Sequence, residues 1–208
     1  YPVRARLLEL YAEQTPNAIS ASISIKDADE HIQGEMLHIL ERLANEADAH
    51  GDMPRLLTGH FAVSGAVPGA ERALMLGRDI DVPKSAVADD RWDYVALGHI
   101  HKHQNLTHGL LDAPPVVYSG SIERIDFGEE KDPKGFCWVE LARGETRWQF
   151  VELDARRFVT VTCDAQRSDN PTQDAIDALK AKRASLRDAV VRFKLTLSAE
   201  TQVMFDEA

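Results

Sequence analysis

The sequence predicts an α/β fold, with mixed sheets flanked by helices, and a small α+β domain following it. Three patterns carry this expectation. Short apolar runs at 55–59, 93–98 and 115–119 read as strands and are separated by stretches of helical spacing, as in βα units. Residues 136–153 alternate apolar and polar side chains around Arg143-Gly144, which reads as an antiparallel hairpin. Beyond Asp154 the order becomes strand, helix, strand, a β-α-β unit of its own.

Taken in order, Val3 to Glu13 places Val3, Leu7, Leu8 and Tyr11 on one helical face, and Pro16 and Asn17 end that segment. From Ile32 to Ala49, Ile32, Met36, Leu40, Leu43 and Ala47 recur at three- and four-residue steps, with Gly51 behind them as a stop signal. One face of this helix should pack on a sheet. Residues 83–88 form a short helix with Pro83 in its first turn, where the missing donor costs nothing. The runs 136–141 and 146–153 supply the two hairpin strands. Charged residues then cluster at Asp154 to Arg157, which places the boundary between a domain at 1–154 and a second at 155–208. The second comprises strand 158–163, a loop with Asn170-Pro171, helix 172–186 and strand 189–197, with no closing element before Ala208, so it reads as truncated.

Composition narrows the function classes. At 208 residues the chain can bury a core without disulfides, and 44% hydrophobic with 28% charged residues is ordinary for a globular protein. No apolar run approaches the roughly 18 residues of a membrane span. Cys137 and Cys163 each sit in an apolar strand, as buried free thiols of a reducing, cytoplasmic setting do. The start has neither an initiator Met nor a signal-peptide layout, so the chain reads as part of a longer protein. A net charge of -10 runs against general affinity for nucleic acid, which comes from Lys and Arg on phosphates, so any grip on DNA has to be local.

Chemistry concentrates after the apolar runs. Gly98-His99-Ile100-His101 follows Tyr94 to Leu97, and in an extended segment residues two apart share a side, so His99 and His101 offer two imidazoles to one pocket. Neutral imidazole binds Zn, Mn and Fe, though a His-x-His pair on spacing alone is equally a polar loop. Leu56 to Gly59 likewise ends in His60. Two strands thus deliver histidines after glycine, and in α/β sheets ligands gather beyond the carboxyl ends of strands. A third segment, Tyr118 to Arg124, follows Pro115 to Val117 and is rich in small residues. Ser119, Ser121 and Arg124 are candidates for holding a phosphate, and the same stretch is compatible with a simple turn whose Arg124 pairs with Glu123 or Asp126.

The runs LLTGHFAVSGA, DYVALGHIHKHQ and PPVVYSGSIERIDFGEEKDPKGFCWVEL resemble the later motifs of SbcD-type exonuclease subunits, within the calcineurin-like metallophosphoesterases. Gly-His-x-His occurs across that superfamily, and YSGSIERIDFGE with a following KGF is particular to the nuclease branch. The resemblance covers 55–141 and implies a sandwich of mixed sheets flanked by helices, incomplete here. It implies that His60 and His99 serve one metal ion and His101 the other, the two divalent ions being Mn²⁺. It also implies DNA as substrate, an SbcC-type ATPase partner, a homodimer, and a capping role in gripping DNA for the region after Arg157, whose helix carries Lys180, Lys182, Arg183 and Arg187. The family's Asp-x-His, Gly-Asp and Gly-Asn-His elements, including its general acid, are not in this sequence and are expected before Tyr1. The isolated chain is accordingly expected to be inactive. Two rivals stand beside the nuclease: a phosphoesterase of small substrates, and a non-catalytic scaffold or binding module.

Overall fold

The computed structural model describes residues 25–69 and 81–206, with side chains from Glu30 onward. The expected helix at 3–13 lies outside them. The described residues form a mixed α/β structure that divides into two compact units. The first comprises the chain up to Ser121 together with Gly135–Leu153, and the second comprises Ile122–Lys134 together with the chain from Asp154.

In the first unit, helix α1 (Ile25–Asp48) begins seven residues before the expected start. Its buried stripe is Ile32, Met36, Leu40 and Ala44, so the fourth contact falls on Ala44, while Leu43 is exposed. At 3.6 residues per turn each step of four drifts by about 40°, so the buried stripe winds around the helix and by Ala44 has turned away from the direction of Leu43. Strands β1 (Leu56–His60), β4 (Tyr94–Gly98), β6 (Val116–Tyr118) and β5 (Gln104–Asn105) form one sheet in the order β1-β4-β6-β5. The first three are parallel, and β5 runs antiparallel to β6 at the edge. Tyr94 and Val95 of β4 and all three residues of β6 are buried, as expected where parallel strands are covered on both faces. Strands β2 (Ala62–Val63) and β3 (Asp81–Val82) pair in parallel, and α2 (Lys84–Val87) follows from Pro83.

Strands β7 (Gly135–Glu140) and β8 (Arg147–Glu152) pair antiparallel, and Gly144 takes φ +72° in the turn between them. The buried carboxylate of Asp93 ties this hairpin to the sheet. It accepts from the backbone N–H of Arg55 at 2.8 Å, from that of Gly144 at 2.8 Å and from Arg143 Nη1 at 2.8 Å. One side chain thereby joins the entries of β1 and β4 to the hairpin turn.

In the second unit, β9 (Phe158–Asp164) and β10 (Val190–Thr196) are parallel along seven paired positions. The connection between them is α3 (Pro171–Ala181) and α4 (Arg183–Leu186), split at Lys182 where a single helix was expected. The loop dipeptide Asn170-Pro171 is a helix start: the Asn170 side chain accepts from Gln173 N, and Pro171 occupies the first turn. A closing element exists as well. Helix α5 (Ala199–Met204) begins with a capping box in which Ser198 and Thr201 satisfy each other's backbone N–H. Lys134 and Glu129, both fully buried, form an ion pair at 2.9 Å within this unit. Cys137 and Cys163 are free and half-buried rather than buried. Among the described residues, no helix is long and apolar enough to cross a membrane.

Candidate functional site

The parallel register decides which residues meet. His60 on β1 lies level with Gly98 on β4, and Leu97 lies level with Tyr118 on β6. His60, His99 and Ser119 therefore leave the sheet side by side at the carboxyl ends of three paired strands, where ligands of parallel sheets collect. The rings of His60 and His99 approach edge to face, with centroids 5.3 Å apart and planes at 62°.

Gly98 makes this apposition possible. A Cβ there would lie 2.8 Å from His60 Nδ1, well inside ordinary contact, so the bare backbone forms the floor on which the His60 ring rests. His99 has a backbone φ of +96°, a region that side-chain-bearing residues rarely adopt and one that clusters at functional sites. Ile100 next to it is 3% exposed and belongs to the core cluster, which anchors the segment.

His101 is half-buried, and its carbonyl accepts from Ser121 N at 3.1 Å. Among the described residues, no three His, Cys, Asp or Glu side chains gather to hold a metal ion. The structure thus brings His60 and His99 together and leaves His101 outside a three-ligand group with them. Two apposed imidazoles over a glycine floor fit the share that a histidine pair contributes to a divalent-metal site, since both side chains are of the type such ions take.

Of the three phosphate-holding candidates, Ser119 and Ser121 belong to the first unit and Arg124 to the second. The Arg124 guanidinium is engaged by backbone carbonyls: Nε donates to Glu129 at 3.1 Å, Nη2 to Asp132 at 2.8 Å, and Nη1 to Arg156 at 3.2 Å. It fastens the 122–134 segment to the start of β9, a different task from pairing with Glu123 or Asp126. Lys180 pairs with Asp177 at 3.6 Å in solvent, while Lys182, Arg183 and Arg187 are exposed.

One residue was passed over in the sequence. His103, which by its setting there resembles any surface or core histidine, stacks on Phe150 with ring centroids 4.0 Å apart and planes at 16°. Its Nδ1 lies 2.9 Å from the Tyr118 carbonyl, which can only accept, so Nδ1 carries the proton. The available signal was its place two residues beyond His101, on the same alternating side.

No family profile matches the chain. It is similar to the SbcD component of the SbcCD nuclease of Staphylococcus saprophyticus, at 29% identity over 107 residues, which are 51% of this chain and 27% of that protein. The match thus spans about a quarter of the relative's length.

Proposed function

We propose that this chain is the later part of a DNA-cleaving phosphodiesterase, an exonuclease subunit of the SbcD kind, built on a calcineurin-like sandwich. The similarity to a nuclease component supports the activity class at a coarse level. The observation that carries the residue assignment is the edge-to-face apposition of His60 and His99 at the ends of two paired parallel strands. In this reading, His60 and His99 hold one Mn²⁺ ion and His101 a second, with the remaining ligands and the general acid supplied from before Tyr1. When bound, such a pair of ions activates a water for attack on phosphorus and neutralises the charge that develops on the phosphodiester.

The chain's own residues set up that chemistry. Gly98 leaves room for the His60 ring, so both imidazoles stand on rigid strand ends and lose little freedom on binding. Ser119 and Ser121, half-buried on the loop after β6, are the proposed donors to a phosphate oxygen. The Arg124 guanidinium donates to backbone carbonyls at Glu129, Asp132 and Arg156, which supports a structural role for it in preference to that one. The second unit acts as a cap against DNA, the working assembly is a homodimer, and an SbcC-type ATPase is the partner.

The test is Mn²⁺-dependent degradation of linear duplex DNA by the parent protein, compared with its His99→Ala variant. Cutting that disappears in the variant supports the reading, and cutting that persists overturns it. Hydrolysis of a small aryl phosphodiester with no action on DNA would favour the small-substrate phosphoesterase.

A further inference from the structure

The five residues from His99 to His103 connect two strands that lie on opposite sides of β6. The chain leaves β4 parallel to β6 and re-enters as β5 antiparallel to it, so this short segment must cross the carboxyl end of β6 and reverse. Both ends of the crossing close on one residue: Leu97 and Gln104 are each register partners of Tyr118. So tight a crossing explains the positive φ of His99. A backbone held in that region persists only where its surroundings over-determine it.

His103 is the residue placed to do so. Its Nδ1 donates to the Tyr118 carbonyl at 2.9 Å, its face lies flat on Phe150, and Trp148 meets its edge with centroids 6.1 Å apart. Phe150 and Trp148 belong to the hairpin, so the ring pins the far end of the crossing to both β6 and β8. The loop after β6 completes the fastening. Ser121 N donates to the His101 carbonyl, and a Cβ on Gly120 would lie 2.8 Å from that same oxygen and 2.9 Å from His103 N.

We propose that His103 is a positioning residue: clamped between the Tyr118 carbonyl and the Phe150 ring, it holds the His99 turn in the strained form that sets His99 against His60. This rests on reading His60 and His99 as a metal-binding pair. Groups bonded directly to a metal ligand change affinity by about 10- to 100-fold when removed, and His103, which acts through Tyr118, Phe150 and the chain between, is set at the lower end of that range.

The test uses the whole chain with Co²⁺ as probe, titrated by visible absorption, and circular dichroism to confirm the fold. The expected result is binding that His99→Ala abolishes and His103→Ala weakens by about 10-fold or more. His103→Asn, whose amide can donate to the Tyr118 carbonyl, should recover part of it. Equal affinity in wild type and His103→Ala overturns the proposal. Should His103→Ala fail to fold, Phe150→Leu, which removes only the stacking, carries the same comparison. If wild type binds no Co²⁺, or His99→Ala binds as wild type does, the metal reading of the pair fails, and a stability cycle then decides the positioning role. His99→Gly should raise the denaturation midpoint while His103 is present and leave it unmoved in the His103→Ala background. The same gain in both backgrounds overturns the clamp.

Discussion

Replacing Gly98 with alanine separates geometry at the site from stability of the fold. The added Cβ would fall 2.8 Å from His60 Nδ1, and ordinary contact begins near 3.4 Å. Its three nearest neighbours are all atoms of the His60 ring, with no backbone among them, and the backbone at Gly98 is in a region alanine adopts freely. The cheapest relief is therefore a swing of the imidazole of roughly half an ångström, the tolerance within which a binding constellation must be held. Stability should change by about 1 kcal/mol or less, as for substitutions that bury no polar group and create no cavity. A misplacement of about 1 Å costs about 100-fold in reactions that depend on positioning, and roughly half of it costs about 10-fold on the same logarithmic scale. We expect Gly98→Ala to unfold within a few degrees of wild type by thermal denaturation, while the Mn²⁺-dependent cutting proposed for the parent protein falls by about 10-fold or more. Full activity in a well-folded variant would refute the reasoning, because the His60 ring would then have no need of its present position.

Other perturbations follow from the same contacts. Gly120→Ala should behave in the opposite way, because φ there is +81° and the obstructing atoms, His101 O and His103 N, are backbone: stability should drop by about 1 to 3 kcal/mol in chemical denaturation. Lys134→Met removes the cation that neutralises the fully buried Glu129 carboxylate, so denaturation should report a loss of about 3 to 5 kcal/mol, and Lys134→Met combined with Glu129→Gln should recover part of it. Burial raises the Asp93 carboxyl, but hydrogen bonds from Gly144, Arg55 and Arg143 outweigh it and hold the group below its ordinary value. Its stabilisation is therefore complete above the usual carboxylate range, near pH 4, and is lost as pH falls through the lower native value. The midpoint difference between wild type and Asp93→Asn should shrink as pH is lowered from 7 to 3. Burial pushes the Cys137 thiol up, so a disulfide exchange reagent at neutral pH should label it more slowly than a free thiol.

Much of the fold was legible because one rule governs it at each point. Short apolar runs gave β1, β4, β6, β9 and β10, and strict alternation gave the β7–β8 hairpin, since each pattern matches one arrangement of covered faces. The two-residue strands β2, β3 and β5 were not legible: a pair of residues has no period, and their strand form comes only from the neighbours they bond. The capping box at Ser198 and Thr201 was missed because its residues resemble any polar tail, and the split at Lys182 because nothing in its composition interrupts a helix. The attachment of residues 122–134 to the second unit is also silent in the sequence. It depends on Arg124 reaching the carbonyl of Arg156, on Glu130 accepting from the backbone N–H and hydroxyl of Thr160, and on Phe127 meeting Phe158 and Arg192.

By itself, the sequence determined which residue types end which strands: glycine followed by histidine after two of them, small residues after a third. Period and local chemistry suffice for that. Tertiary structure alone decided which of these ends lie together, because strand order and register are pairings between segments distant in the chain. It set His60 level with Gly98 and sent the His99–His103 crossing over the end of β6. It also gave His103 its place against Phe150, a contact between residues nearly fifty positions apart that no local pattern encodes.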